Sequence, residues 1–265
     1  MKYGLVRVNL LDMWSQPNYN SERANQLFFG EPIKIIKEYN DFYFISQNDN
    51  YNGWVDKRFI SLITKTAFLD YIKKTNSVVI STTAKIYDSK KKTITAPYFL
   101  YYGTKLYTKN YSDGWSKVFL PDGNRFIIKL NNIAPINKKN IDKLTGKKLI
   151  GEAKRFLGVP YLWGGITTAG FDCSGFVKTI LSRFGIDIPR DTKEQIQVGK
   201  KVDKNNILPG DLLFFKRHVG FSMGKGKIIH TSRGSSGVHI NSLRPNDFDY
   251  RKDLDRDFNQ ARRIL

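Results

Sequence analysis

Through the first half of the chain, hydrophobic positions alternate with polar ones over short stretches. Residues 5–8, 33–36, 42–46 and 54–55 read as strands. Period-two alternation with β-branched and aromatic residues suits a half-buried sheet, and Asn, Gly and Asp punctuate the breaks. Residues 77–136 keep the same rhythm at 78–80, 85–87, 104–107, 115–119 and 125–128. Beyond residue 145 the period changes. Residues 149–156 form an amphipathic helical stretch. Phe176, Val177, Ile180, Leu181 and Phe184 fall on one face of a second helix, which Gly185 ends. Residues 212–215, 218–223 and 227–230 read as strands again, with a tight Gly turn between the last two.

The two β stretches repeat one another. Gly30-Glu31-Pro32-Ile33-Lys34-Ile35 lies over Gly103-Thr104-Lys105-Leu106-Tyr107, an offset of 73 residues. Tyr39-Asn40-Asp41 lies over Tyr111-Ser112-Asp113, an offset of 72. Two similar modules account for this better than one large sheet. The predicted organisation is a β module at 1–63, a helical or irregular linker at 64–76, a second β module at 77–136, and a mixed α+β domain at 145–265. No role is assigned to residues 244–265.

Composition narrows the classes. Of 265 residues 40% are hydrophobic, 14% aromatic and 26% charged, which excludes a wholly disordered, collagenous or coiled-coil chain. No apolar run approaches the ~18 residues of a membrane span, and residues 1–9 contain no apolar core of a signal peptide. A cytoplasmic protein is expected, with an exported one as the alternative. The net charge of +20 divides evenly, +10 on residues 1–144 and +10 on 145–265. A spread excess attracts polyanions in general. Without zinc-finger spacing, a helix-turn-helix or an RNP-type strand, no dedicated nucleic-acid partner is expected.

The chemistry concentrates after residue 145. Cys173 is the only cysteine, so no internal disulfide and no thiolate metal cluster can form. It falls at the N-terminus of the second helix, where partial positive charge favours a thiolate. The three histidines, His218, His230 and His239, lie near the C-terminus. A three-residue loop at 224–226 would pair Met223 with Lys227 and set His230 opposite Gly220. His218 and His230 would then share a face as diagonal neighbours ~7–8 Å apart at Cα. A two-residue loop would put them on opposite faces. In the first geometry Cys173, His218 and His230 can act as nucleophile, base and base-orienting residue; otherwise they are an inert thiol and unrelated histidines. His239 lacks such a context. No HExxH-type spacing or other metal or cofactor signature is present.

Two resemblances carry the reading further. Gly30-Glu31 before an alternating strand, with Tyr51-Asn52-Gly53-Trp54-Val55 closing the module, resembles bacterial SH3-like domains. Module two lacks the Gly-Trp-Val closure. Pro160-Tyr161-Leu162-Trp163-Gly164-Gly165, Asp172-Cys173-Ser174-Gly175-Phe176, Leu208-Pro209-Gly210-Asp211-Leu212-Leu213-Phe214-Phe215 and His218-Val219-Gly220 through Ile229-His230 resemble the NlpC/p60 cysteine peptidases. The whole architecture is similar to that of γ-D-glutamyl-L-diamino acid endopeptidases of the dipeptidyl peptidase VI type. This resemblance implies a papain-like α+β fold after two SH3-like barrels, and cell-wall peptides of the form L-Ala-γ-D-Glu-diamino acid as substrates. Cys173 would be the nucleophile, His218 the base and His230 its orienting partner. Tyr161 would complete an oxyanion hole with the Cys173 N–H. Trp163 would wall the cleft. Asp172, Ser174, Asp191 and Thr192 would contact substrate, and in module one Tyr51 and Glu22 would hold the free alanine amine. Arg190 would meet a substrate carboxylate or stay solvated. Asp172 and Asp191 could instead serve as helix N-caps. A hydrolase acting on the intact wall, or a non-catalytic wall- or polyanion-binding protein, are the alternatives.

Overall fold

The computed structural model describes residues 2–92, 97–136 and 144–265, so positions 93–96 of the second module lie outside the described residues. The chain divides into two compact units, residues 1–136 and 137–265.

The first unit begins with β1 (Lys2–Val6), β2 (Leu10–Trp14), β3 (Arg23–Phe28), β4 (Pro32–Tyr39), β5 (Phe42–Ser46), β6 (Asn52–Asp56) and β7 (Ile60–Ile63). These form one seven-stranded sheet in the order β3-β2-β6-β5-β4-β1-β7. Helix α1 (Lys65–Lys74) follows. Its N-cap is Thr64, whose hydroxyl accepts the Ala67 N–H. The second module comprises β8 (Ser77–Val79), β9 (Thr83–Tyr87), β10 (Phe99–Tyr101), β11 (Lys105–Asn110), β12 (Trp115–Phe119), β13 (Arg125–Lys129) and β14 (Ile133–Pro135). Its sheet order, β10-β9-β13-β12-β11-β8-β14, repeats that of the first strand for strand.

The shifting offset of the sequence repeat has a geometric cause. Strand β4 carries a bulge between Ile35 and Lys37, one residue more than its counterpart. Its turn to β5 is one residue shorter, because Tyr39 pairs directly with Phe42 through Asn40 and Asp41. In module two the turn needs Ser112, Asp113 and Gly114, with Gly114 at φ +81°. The extra residue is used once by the bulge and once by the turn, so the offset falls from 73 to 72 and returns.

Strands β2, β3, β7, β10 and β14 escaped the pattern reading. Several are short or only half-buried, with weak alternation. One core gathers Val6, Leu11, Met13, Leu27, Ile33, Ile45 and Val55. The other joins Val79, Ile86, Leu106, Val118 and Ile128 to Leu5, Phe29 and Tyr71, and so binds both modules and α1 into one unit.

The second unit contains α2 (Gly146–Lys154), the hairpin β15 (Ile166–Thr167) with β16 (Gly170–Phe171), α3 (Cys173–Arg183) and α4 (Thr192–Gln195). It continues with β17 (Lys200–Val202), β18 (Leu212–Phe215), β19 (His218–Gly224), β20 (Lys227–Ser232), β21 (Gly237–Ser242), α5 (Lys252–Arg256) and β22 (Phe258–Arg263). Six strands form a sheet in the order β17-β22-β18-β19-β20-β21, giving an α+β unit. All four residues of β18 are buried, as expected of a strand covered on both faces. Phe156, Phe171, Phe176 and Phe221 stack edge to face, with successive ring centroids 5.7, 5.5 and 6.0 Å apart, and tie α3 to β19. Leu213, Phe215, Ile228, Leu254 and Ala261 form a further cluster in the same unit.

Residues 244–265, unassigned from sequence, build part of this sheet. Strand β22 inserts between β17 and β18. Arg263 fixes it by donating to both carboxylate oxygens of buried Asp211 at 2.8 Å, and Asp211 also accepts the Leu208 N–H. Among the described residues, no helix is long and apolar enough to cross a membrane.

Candidate active site

Cys173 opens α3, with Asp172 as the N-cap residue. The Asp172 carboxylate accepts the Gly175 N–H at 2.6 Å and the Gly164 N–H at 2.9 Å. Arg190 donates to it twice, at 2.6 and 3.1 Å, and once to the Ser174 hydroxyl at 2.9 Å. Ser174 in turn donates to Asp172. Arg190 is only 2% exposed, and Asp172 and Ser174 are buried. A charge removed from water needs a partner of this kind, and a bidentate guanidinium supplies it. Asp172 takes the N-cap position that was one of its two readings, and with Ser174 it turns inward and holds the loop before the nucleophile. One expectation is corrected: Arg190 is not solvated but buried, and it neutralises Asp172. Gly175 belongs to the same lock, because a Cβ there would collide with the Gly165 carbonyl.

The Cys173 thiol lies 3.9 Å from the Thr192 hydroxyl. It also receives hydrogen bonds from the backbone of Val219 and Ser174, so Thr192 on α4 and the start of β19 both meet the nucleophile. Burial, reinforced by the Asp172 charge, pushes the thiol up from its ordinary value, and these hydrogen bonds only partly offset the shift. Burial opposes the helix-end field, which is worth about 0.3–1 kcal/mol. Tyr161 feels the charges of Cys173 and Asp172. Burial first, then those charges, push its phenol up to about 12, so it remains a hydrogen-bond donor. Asp191 occupies the N-cap position of α4, with no side-chain capping hydrogen bond. Trp163 is 52% exposed on the loop after Pro160.

The histidines come together by a route the turn rule did not foresee. The hairpin loop has two residues, Lys225 and Gly226, both at positive φ, and Gly224 pairs with Lys227. That loop alone would separate the histidines. A bulge at Met223 absorbs one residue, however, so Ser222 pairs with Ile228 and Phe221 with Ile229. The register beyond the bulge is the one expected of a three-residue loop. His218 Nε2 and His230 Nδ1 are 2.8 Å apart. Burial moves His218 down to about 3 and His230 down to about 4, so both rings are neutral at physiological pH.

Sequence reasoning missed the next member. His230 Nε2 lies 3.0 Å from Asn241 Oδ1. His230 pairs directly with His239, and Asn241 stands two residues further along β21 on that face. Counting back from the turn between Ser232 and Gly237 would have found it. His239 is exposed and pairs with His230 across the two strands.

Tyr51 and Glu22 belong to the first unit. The Tyr51 hydroxyl donates to the Ala24 carbonyl at 3.4 Å, and its ring packs on the module-one core. Glu22 is exposed, and its carbonyl accepts the Ser15 N–H. Among the described residues, no three His, Cys, Asp or Glu side chains converge as a metal site.

Comparison with known proteins adds to this geometry. A model described as the NlpC/P60 family matches residues 158–255, and one described as a bacterial SH3 domain matches residues 8–61. A gamma-D-glutamyl-L-lysine dipeptidyl-peptidase of Bacillus cereus is 29% identical over 235 residues, which span 81% of this chain and 69% of that protein. A probable endopeptidase NlpC of Escherichia coli is 44% identical over 115 residues, 40% of this chain and 70% of that protein. A crystal structure of an NlpC/P60 family protein from Bacillus cereus matches with a TM-score of 0.83 at 24% identity, covering 99% of both chains, which is a likeness of fold.

Proposed function

Because this chain belongs to the NlpC/P60 family of cysteine peptidases, we propose that it cleaves the bond between γ-D-glutamate and the diamino acid in short cell-wall peptides with a free N-terminal L-Ala. The observation that carries the reading is the meeting of Cys173, at the start of α3, with the strand that begins at His218, whose ring continues into His230. The likeness to the Bacillus cereus dipeptidyl-peptidase supports the choice of bond.

In this mechanism the Cys173 thiol gives its proton to His218 as its sulfur attacks the γ-glutamyl carbonyl carbon. The pair is neutral at rest, and transfer creates opposite charges that stabilise each other. The carbonyl oxygen becomes an oxyanion. It is received by the Tyr161 hydroxyl and the Cys173 N–H, one of the N–H groups that the first helical turn leaves without a helical partner. His218 returns the proton to the departing amine of the diamino acid, leaving a thioester. It then takes a proton from water, whose oxygen attacks the thioester and frees the L-Ala-γ-D-Glu carboxylate and the thiol. Thr192 steadies the sulfur, and Trp163 and Asp191 line the cleft. In this reading the enzyme recycles wall fragments in the cytoplasm. The +20 charge favours a second reading, an exported hydrolase drawn to anionic wall polymer.

The test is incubation with L-Ala-γ-D-Glu-meso-diaminopimelate, read by mass spectrometry, beside the N-acetylated peptide and the Cys173→Ala protein. Release of L-Ala-γ-D-Glu from the free peptide alone, and only by the unmutated protein, is expected. Equal cleavage of the acetylated peptide would discard amine recognition and move the reading to the wall hydrolase. Normal hydrolysis by Cys173→Ala would end the mechanism.

A further inference from the structure

The hydrogen bonds around the two histidines do not end at Asn241. Asn241 Nδ2 lies 3.4 Å from the Asp249 backbone carbonyl. That carbonyl also accepts the Ser242 N–H at 3.0 Å. A backbone carbonyl can only accept. The amide must therefore present its NH2 to Asp249, and its oxygen is left facing His230. The assignment follows from the partners and does not depend on telling nitrogen from oxygen in the amide.

The consequence passes along the line. Asn241 Oδ1 is only an acceptor, so His230 must carry its proton on Nε2. A neutral imidazole has one proton, so His230 Nδ1 is then a lone pair. His218 Nε2, 2.8 Å away, must therefore be protonated and donate to it. The remaining nitrogen of His218, Nδ1, is left without a proton. The opposite amide orientation would set two acceptors against each other at Asp249. It would also reverse every donor in the line and load His218 Nδ1 with a proton, which leaves a ring that cannot accept one from Cys173 there.

We infer that Asn241, held by the Asp249 carbonyl, is a positioning residue that fixes the tautomer of both histidines and leaves His218 Nδ1 as the base. The inference rests on the proposed role of His218 as the base for Cys173. It also gives work to a segment to which the sequence assigned none. Asp249 is held by Lys227 at 2.6 Å, and Lys227 also reaches Asp247 at 3.1 Å. Asp247 accepts the Ser242 hydroxyl at 2.7 Å, and the Arg251 N–H returns to the Ser242 carbonyl at 2.8 Å. Strand β21 and the loop after it are thereby closed on each other, and the Asp249 carbonyl is held against Asn241. The charged groups flanking both rings are Arg251 and Asp253, which are hydrogen-bonded to each other, so their fields oppose. His239 is the remaining titratable neighbour of His230. When His218 accepts a proton, both of its nitrogens become donors. The Nε2 bond to His230 is unchanged, so the line needs no rearrangement during turnover.

The test reads the tautomers directly, with the full chain labelled with 15N at its histidine rings and studied by NMR at neutral pH. In the unmutated protein, His218 and His230 should both be Nε2–H tautomers with Nδ1 unprotonated. A proton on His218 Nδ1 would overturn the inference without any variant. In Asn241→Leu, which removes the acceptor, His230 should lose its single tautomer. Alkylation of Cys173 by iodoacetamide should slow on the order of tenfold to hundredfold, by analogy with the loss on removing the hydrogen-bond partner of a metal-bound histidine. Asn241→Asp keeps an acceptor oxygen toward His230 while giving up the donor to Asp249, so it should keep the Nε2–H tautomers. Unchanged tautomers and rate in Asn241→Leu would also overturn it. These readouts use no peptide. Correct tautomers in a protein that left the peptide intact would therefore discard the proposed substrate and keep the relay.

Discussion

The two halves of the candidate site are built on different physical terms. The nucleophile half is local. Asp172, Cys173, Ser174 and Gly175 are consecutive, and one cap with one buried ion pair sets the helix start. The histidine half is assembled across strands. His218, His230 and Asn241 sit on three strands, and their alignment depends on one bulged residue and two turns. Electrostatics holds the first half, and register holds the second. The first should therefore fail by losing stability, and the second by losing geometry while the protein remains folded.

The largest effect should come from shifting register. One alanine inserted between Gly220 and Phe221 moves His218 to the opposite face from His230, because side chains alternate with a period of two. Peptide hydrolysis should fall at least by the ~10²–10⁴-fold that a general base supplies. Deleting Met223 is the sharpening partner. It removes the residue that the bulge absorbs and leaves Gly220 opposite His230, so hydrolysis should survive. A shared loss in both variants would show that the register account is wrong.

Breaking the ion pair should act on stability. Arg190→Met leaves the Asp172 charge buried without its partner, which costs about 3–5 kcal/mol. Urea unfolding of the second unit measures it, and Arg190→Met with Asp172→Asn should recover part of the loss. A change within ~0.5 kcal/mol, as at a solvated surface position, would refute the lock.

A smaller, graded effect should follow pH. His218 and His230 titrate at about 3 and about 4 when folded, below the ~6.5 of an unfolded histidine. Between these values the unfolded chain binds more protons, so stability is fully present above about 6.5 and is lost as pH falls toward about 3. Replacing His218 with Gln should flatten part of that slope between pH 6.5 and 4 in urea titrations.

How much was legible from sequence differs between the halves for the same reason. Cys173 at a helix start followed from the apolar positions at 176, 177, 180, 181 and 184 and from an acidic cap, all within a dozen residues. The duplicated β modules were visible because the repeat preserves whole strands, even where the Gly-Trp-Val closure is missing. Arg190 was misplaced because its partner lies 18 residues away, and nothing local distinguishes a buried arginine from a solvated one. The register linking His218 to His230 was expected correctly but for the wrong loop, since a two-residue turn with a bulge and a three-residue turn absorb the same number of residues. Asn241, Asp249 and β22 were invisible, because their roles exist only once β21 pairs with β20 and β22 enters the sheet. Helix faces, caps and strand alternation are short-range consequences of side-chain periodicity, and the sequence determined them by itself. Which buried charge meets which, and which nitrogen of His218 is left without a proton, were decided only when the tertiary structure brought distant backbone and side-chain donors into hydrogen-bond range.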